Sequence, residues 1–173
     1  MAEYWDIYDA DRIKTQRVHL RGEPIEDGDY HLVVNIWIYN SRGEVLLTQR
    51  HPDIPFGLKW ACTGGSAIQG EDTLTAAMRE TREEIGLQIP PQKMILVAQE
   101  RRLHSFLDTF VACCDPKDEE IVMQPEEVVG FCWVNEAGYR KMEQKELLHP
   151  ALKNFFEVYR SKLPKALIHK KGR

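Results

Sequence analysis

The stretch GGSAIQGEDTLTAAMRETREEIGL, from Gly64 to Leu87, constrains this chain more than any other. Asp72 is a good N-cap and Gly86 a good stop, and between them Leu74, Ala77, Met78, Thr81 and Ile85 recur at helical spacing, so one stripe of the helix faces a core. At about 100° per residue, Glu80, Glu83 and Glu84 fall within an arc of roughly 100°, centred about a third of a turn from that stripe. They form an acidic face beside the core. Like charges at these spacings cost about a few tenths of a kcal/mol each, and the negative end of the helix dipole adds to the cost. Arg79 and Arg82 compensate only in part. A divalent cation would relieve the rest, and oxygen-only ligands suit Mg²⁺ or Mn²⁺.

The surrounding sequence reads as strands. Residues 4–29 are polar and turn-rich, with YWDIYD and QRVHLR as two short strands, so residues 1–30 form an N-terminal strand extension. HLVVNIWIYN and EVLLTQR flank SRG and read as a hairpin with a glycine turn. WACTGG is a further short strand entering a glycine turn, and MILVAQERR, LDTFVACC and VVGFCWV are β-rich runs after the helix. Two helices are expected within residues 135–165, over 136–148 and 150–163, and the basic tail 166–173 is expected to be disordered. Strands, one internal helix, more strands and terminal helices make an α+β chain, with a mixed sheet covered by helices in one domain spanning 1–173.

Charge and cysteine usage exclude several roles. A net charge of −4 lacks the dense basic stripe of a nucleic-acid duplex binder. The N-terminus has no apolar core of a signal peptide, and no apolar run approaches the roughly 18 residues of a membrane helix, so no membrane partner is expected. Cys62, Cys113, Cys114 and Cys132 lack metal-site spacing, and adjacent Cys113 and Cys114 would point to opposite faces of a strand, so packing is their expected role. A reducing, cytoplasmic setting follows as the expectation.

Gly65, Glu71, Arg79, Glu80, Glu83, Glu84, Gly86 and Leu87 together resemble the signature of the Nudix hydrolases. Thr81 departs from it, standing where an aliphatic residue is usual. The resemblance implies a Nudix fold, a mixed β-sheet sandwiched between helices. It implies divalent metals held by Glu80, Glu83, Glu84 and the carbonyl of Gly64, with Gly65, Glu71 and Gly86 supporting the motif. It also implies hydrolysis of a diphosphate linked to another moiety, by attack of a metal-activated water on phosphorus. Arg79 would orient a carboxylate, Glu83 or Glu84 would act as general base, and Glu71 would support the loop or help bind a metal.

Beyond the motif, residues 4–134 are similar to type I isopentenyl-diphosphate isomerase and the hydrolases grouped with it. Isomerase-type proton transfer is therefore the alternative activity. By spacing back from Glu71, however, the isomerase cysteine falls on Gly64 and its histidine on Ser66, while Cys62 comes two residues too early. A catalytically silent diphosphate-binding module is a third reading, opposed by the intact glutamate set. His31, Asp108 and Glu127 are additional candidates: His31 matches an isomerase metal ligand, Asp108 is polar at the start of an apolar strand, and Glu126 and Glu127 sit in a loop before a strand. Trp37, Tyr39, Phe56 and Trp60 could stack on a base, although such aromatics usually pack. The expected partner is a small-molecule diphosphate, and a homodimer is left open.

Overall fold

The computed structural model describes residues 2–163. Its strands are β1 (Tyr4–Tyr8), β2 (Lys14–Leu20), β3 (His31–Tyr39), β4 (Val45–Arg50), β5 (Trp60–Ala61), β6 (Thr63–Ser66), β7 (Ile95–Arg101), β8 (Ser105–Cys113) and β9 (Val128–Val134). Helix α1 (Thr73–Ile85) lies between β6 and β7, and α2 (Glu136–Gln144) and α3 (Phe155–Tyr159) follow β9. The α+β arrangement is the one expected.

β3 is the central strand, because its apolar residues serve both faces. Leu32, Val34, Ile36 and Ile38 pack into a core with Ala76, Ala77 and Ile85 of α1, whereas Trp37 and Tyr39 pack with Tyr139 of α2 and Phe155 and Phe156 of α3. The alternation follows from the two-residue period of a strand, and burial on both sides explains its nearly continuous apolar run. The mixed sheet is thus sandwiched between helices.

The hairpin of β3 and β4 pairs only at Tyr39↔Val45. Below that point the strands take different partners. β3 pairs with β8 in parallel and with β6 antiparallel, with Asn35 opposite Gly64 and Val34 opposite Gly65, while β4 pairs with β9 and β5. WACTGG is accordingly two short strands divided at Cys62, not one. β6 delivers the chain into α1, and the loop before β9 closes on the helix end: Gln124 N–H donates to the Glu84 carbonyl at 3.0 Å and Val122 N–H to the Ile85 carbonyl at 3.0 Å.

β1 and β2 form a separate two-stranded sheet. It is tied to the loop before α1, where Gly70 N–H donates to Asp6 at 2.7 Å and Gln69 N–H to the Tyr4 carbonyl at 2.7 Å.

The C-terminal helices are shorter than expected. α2 stops at Gln144, and Glu146 turns left-handed (φ 55°) so that Trp60 N–H can reach the Leu147 carbonyl at 2.9 Å. The stretch 150–163 is not one helix but a 3₁₀ turn at 150–152, α3, and a second 3₁₀ turn at 160–162. Asn154, at φ 60°, makes the break, and its N–H is satisfied by Glu143 Oε1 at 2.6 Å. Asparagine tolerates that conformation better than most residues. Leu152, Phe155 and Phe156 are nonetheless buried. The expected disordered tail, 166–173, lies outside the described residues.

Candidate active site

The acidic segment folds as its caps dictate. Asp72 accepts the Thr75 N–H at 2.8 Å, and Gly86 ends α1 in the left-handed region at φ 75°. Thr81 is fully buried, and its hydroxyl donates back to the Ala77 carbonyl at 2.7 Å. A polar residue thereby occupies an aliphatic position without an unsatisfied group.

The acidic face lies beside the core, as expected, but its three glutamates sit at different depths. Glu84 is buried, Glu80 has a side chain only 12% exposed and Glu83 is 44% exposed. The reason lies in helix arithmetic: Glu84 follows Ala77 by two turns, so at about 100° per residue it falls almost on the core stripe. Burial, then the neighbouring charges of Glu80 and Glu127, push its carboxyl well above the usual carboxylate range. Among the described residues its carboxyl accepts one hydrogen bond, a long one from Gly64 N–H at 3.3 Å. Burial also raises Glu80, opposed by Arg79 and reinforced by Glu127.

Arg79 holds the remaining carboxylates together. Its Nε and Nη2 donate to the two oxygens of Glu71 at 2.8 and 3.0 Å, and its Nη1 donates to Glu80 and Glu83, both at 2.9 Å. Nη2 also donates to the Ser66 carbonyl at 2.9 Å, which fixes α1 against the end of β6. Burial works against the guanidinium charge, but the bonded carboxylates overcome it and the pKa rises. The bidentate partner is Glu71, not Glu83. Glu71 also accepts the Ile68 N–H at 3.0 Å, so it braces the loop.

The glycines leave room for this cluster. A Cβ on Gly65 would lie 2.2 Å from Glu80 Oε1, and one on Gly64 would lie 2.2 Å from the Val34 carbonyl oxygen. The first would displace the Glu80 carboxyl, and the second would push β6 away from the β3 backbone.

The additional candidates separate. Glu127 joins the site, since its charge acts on both Glu80 and Glu84. Asp108 does not: Arg12 donates to both its oxygens at 2.8 and 2.6 Å, Thr73 donates at 2.6 Å and Gln99 at 3.2 Å. Thr73 begins α1, so this network lies roughly 16 Å along the helix axis from Glu84 at 1.5 Å per residue. His31 is four residues before Asn35 on β3, about 13 Å along the strand from the Gly64 pairing. It stacks on Trp5 at 4.0 Å, and burial lowers its pKa to about 4. Of the aromatics, Trp37 and Tyr39 are core residues, whereas Phe56 is exposed.

Two participants had no signal in the sequence. The Ser66 carbonyl offers only backbone, and Arg50, whose charge lowers the Glu84 pKa, ends a strand remote in sequence from the motif.

Among the described residues no three His, Cys, Asp or Glu side chains stand ready as a coordination sphere, and Arg79 holds Glu80 and Glu83. The donor chemistry nevertheless fits a hard divalent cation. A buried Glu84 whose carboxyl accepts one long hydrogen bond, a Glu80 side chain 12% exposed, and the close approach of the β6 glycines group carboxylate oxygens of the kind a hard cation takes.

Comparison with known proteins decides the family. The NUDIX domain model matches residues 29–158. The chain belongs to the Nudix family. This Nudix hydrolase is 31% identical over 134 residues to an uncharacterized Nudix hydrolase of Listeria innocua, covering 76% of this chain and 79% of that one. It is also 31% identical over 119 residues to an RNA pyrophosphohydrolase of Novosphingobium aromaticivorans, covering 69% of this chain and 61% of the relative. The structure is similar to that of DR0079 from Deinococcus radiodurans, with a TM-score of 0.75 at 21% identity over 91% of this chain and 99% of that one. That likeness concerns the Nudix fold alone.

Among the described residues no helix is long and apolar enough to cross a membrane.

Proposed function

We propose that this Nudix hydrolase is divalent-metal-dependent, using Mg²⁺ or Mn²⁺, and cleaves the diphosphate linkage of a small molecule in which a diphosphate joins another moiety. The observation that carries the reading is Glu84: a buried carboxylate, next to Glu80 and Glu127, with a single long hydrogen bond. A fold gains nothing from such a group unless a cation completes it.

Glu80, Glu84 and the Gly64 carbonyl would hold the cation, with Glu127 at the margin. When bound, a divalent cation neutralises diphosphate oxygens and lowers the pKa of a water. Of the two candidate bases, Glu83 and Glu84, Glu83 is half-exposed and held by one Arg79 bond, which supports it as the one that would accept a proton from the attacking water. Arg79 sets the orientation of Glu80 and Glu83 and is itself fixed by Glu71 and Ser66. A small-molecule substrate in a cytoplasmic setting fits the acidic balance of the chain.

Isomerase-type proton transfer needs a reactive thiol. Cys62 is buried between β5 and β6, and burial with the nearby charge of Glu84 pushes its thiol up to about 12. It packs with Ala61 and Trp37 instead.

The test is a panel of diphosphate compounds with Mg²⁺ or Mn²⁺, read by phosphate release and mass, comparing wild type with Glu84→Gln. Metal-dependent cleavage of one class, lost in the variant, is expected. Equal turnover by the two proteins overturns the assignment.

A further inference from the structure

The hairpin of β1 and β2 precedes residues 29–158, the part of the chain matched to the NUDIX domain, yet it touches the signature loop directly. Asp6 is the point of contact. A carboxylate only 6% exposed needs partners within the fold, and its Oδ2 takes two, Lys14 Nζ at 2.6 Å and the Gly70 N–H at 2.7 Å. The first partner is the product of a local irregularity. Asp6 pairs with Val18 but Tyr8 with Lys14, so two steps along β1 answer four along β2, and the slip brings Lys14 diagonally across from Asp6. An unbroken ladder would set Gln16 there instead.

The second partner belongs to residues 67–71, which carry β6 into α1 and whose tip, Gln69 and Gly70, is exposed. The inner side of this loop is a tight turn: the Glu71 N–H donates to the Ile68 carbonyl at 3.0 Å, and Glu71 Oε2 accepts the Ile68 N–H at 3.0 Å. The outer side is held by β1. Gln69 N–H donates to the Tyr4 carbonyl at 2.7 Å, and Gly70, at a φ of 90° that is open to glycine, donates to Asp6.

Glu71, next in the chain, is thereby anchored from both sides. Its two oxygens fix Arg79 Nε and Nη2, and Arg79 Nη1 holds Glu80 and Glu83. A planar fork cannot follow a displaced Glu71 without shifting its bonds to the other two carboxylates. The hairpin itself does not depend on Asp6 for its place. Tyr8 and Tyr30 exchange backbone bonds at 2.8 and 3.0 Å, Arg12 grips Asp108 at 2.8 and 2.6 Å, and Trp5 stacks on His31. Removing the Asp6 carboxylate therefore frees the loop and leaves the hairpin docked.

Resting on the reading of this chain as a diphosphate hydrolase, we infer that Asp6 is a positioning residue for the reaction: through Gly70 it fixes the loop that carries Glu71, and through Glu71 and Arg79 it sets the orientation of Glu80 and Glu83. The strand hairpin ahead of the Nudix domain is thus part of the machinery that shapes the metal-binding face. Its Lys14 pair keeps Asp6 in place, and the Gly70 bond does the positioning.

Wild type, Asp6→Ala, Asp6→Asn and Arg17→Ala, each established as folded by circular dichroism, test this through three readouts. These are hydrogen exchange of the Gly70 amide in EDTA, Mn²⁺ affinity from electron paramagnetic resonance, and kcat and KM on the diphosphate that wild type cleaves. The Gly70 amide, exposed but bonded, is expected to be protected in wild type and in Asp6→Asn, and to exchange at least about tenfold faster in Asp6→Ala. Asp6→Ala should also lower Mn²⁺ affinity and kcat roughly tenfold, the scale of a lost outer partner of metal ligands, with KM little changed. Asparagine keeps an oxygen for Gly70 and should restore both, although the Lys14 pair loses its charge. Arg17→Ala removes the pair of β2 with Asp29, away from the loop, and should leave all three readouts as in wild type. An unprotected Gly70 amide in wild type, or Asp6→Ala with unchanged exchange or with unchanged Mn²⁺ affinity and kcat, would overturn the inference. So would Asp6→Asn or Arg17→Ala as impaired as Asp6→Ala. A wild type that binds Mn²⁺ and cleaves no diphosphate would sink the hydrolase reading instead, and the Mn²⁺ affinities would still decide whether Asp6 positions the glutamates.

Discussion

A buried carboxylate stands at each end of α1, Asp108 of β8 at its N-terminal end and Glu84 of the helix itself at the other, and they are treated in opposite ways. At the N-terminal end Asp108 is 1% exposed and receives Arg12 through both oxygens, the Thr73 hydroxyl and the Gln99 amide. At the C-terminal end Glu84 is 6% exposed and receives one backbone N–H at 3.3 Å, with Glu80 and Glu127 as electrostatic neighbours. Burial alone therefore does not mark the functional end. What distinguishes Glu84 is that, among the described residues, no cationic side chain is bonded to it, a cost that protonation or a bound cation would offset. Asp108 shows what the same fold does when a buried carboxylate serves structure.

Exchanging each carboxylate for its amide should separate the two roles. Glu84→Gln is expected to lower turnover by at least about a hundredfold, the scale of a lost catalytic group, while the metal-free protein melts at the same temperature or higher. Asp108→Asn should do the reverse. Leaving Arg12 against a neutral group breaks a buried pair, with a cost of about 3 kcal/mol, read by urea denaturation, while turnover per folded molecule is retained. A variant of Asp108 that folds normally and loses activity would erase the distinction drawn between the two ends.

Much of this was legible in the sequence, for physical reasons that differ by element. The caps of α1 and the strand alternation of β3 are local, and both stand where the residues place them. The breaks at Glu146 and Asn154 were not legible, because Trp60 and Glu143, which satisfy the backbone there, come from elsewhere in the chain. In the site, Arg79 was readable as a carboxylate partner, but a four-residue spacing pointed to Glu83. The bidentate partner is Glu71, since only the folded loop brings it alongside the guanidinium. Asp108 looked like a candidate ligand because a polar residue on an apolar strand carries no sign of its partner, and His31 because it matches an isomerase metal histidine. Arg12 and Trp5, both from the N-terminal segment, supply those partners.

Arg79 sharpens the comparison from the cationic side. Arg12 serves one carboxylate, whereas Arg79 spreads its donors over Glu71, Glu80, Glu83 and the Ser66 carbonyl. Lysine cannot reproduce that planar fork. Arg79→Lys is expected to keep the fold and to lower turnover roughly tenfold or more, as misplacing a catalytic group does. Thermal melting and turnover measured on one preparation check it, and unchanged turnover in the folded variant would reduce Arg79 to a brace for the loop.

The smallest expected effect is a dependence of stability on pH, and its sign distinguishes the acidic end of α1 from the start of β3. Glu84 has a folded pKa raised above its unfolded value, by burial first and by Glu80 and Glu127 second. Its favourable contribution is therefore complete below the unfolded carboxylate range and is lost as pH rises through the folded pKa. His31 is lowered, by burial, from 6.5 to about 4. The unfolded chain binds that proton first, so His31 contributes stability above 6.5 that is lost as pH falls toward 4. Melting temperatures across that range in EDTA should thus be limited on the alkaline side by Glu84 and on the acid side by His31. Glu84→Gln should flatten only the alkaline limb, and His31→Phe only the acid one. Mg²⁺ should restore stability increasingly as pH rises, because the ionised carboxylate is what a cation binds. An alkaline limb that survives in Glu84→Gln would place the uncompensated charge elsewhere in the molecule.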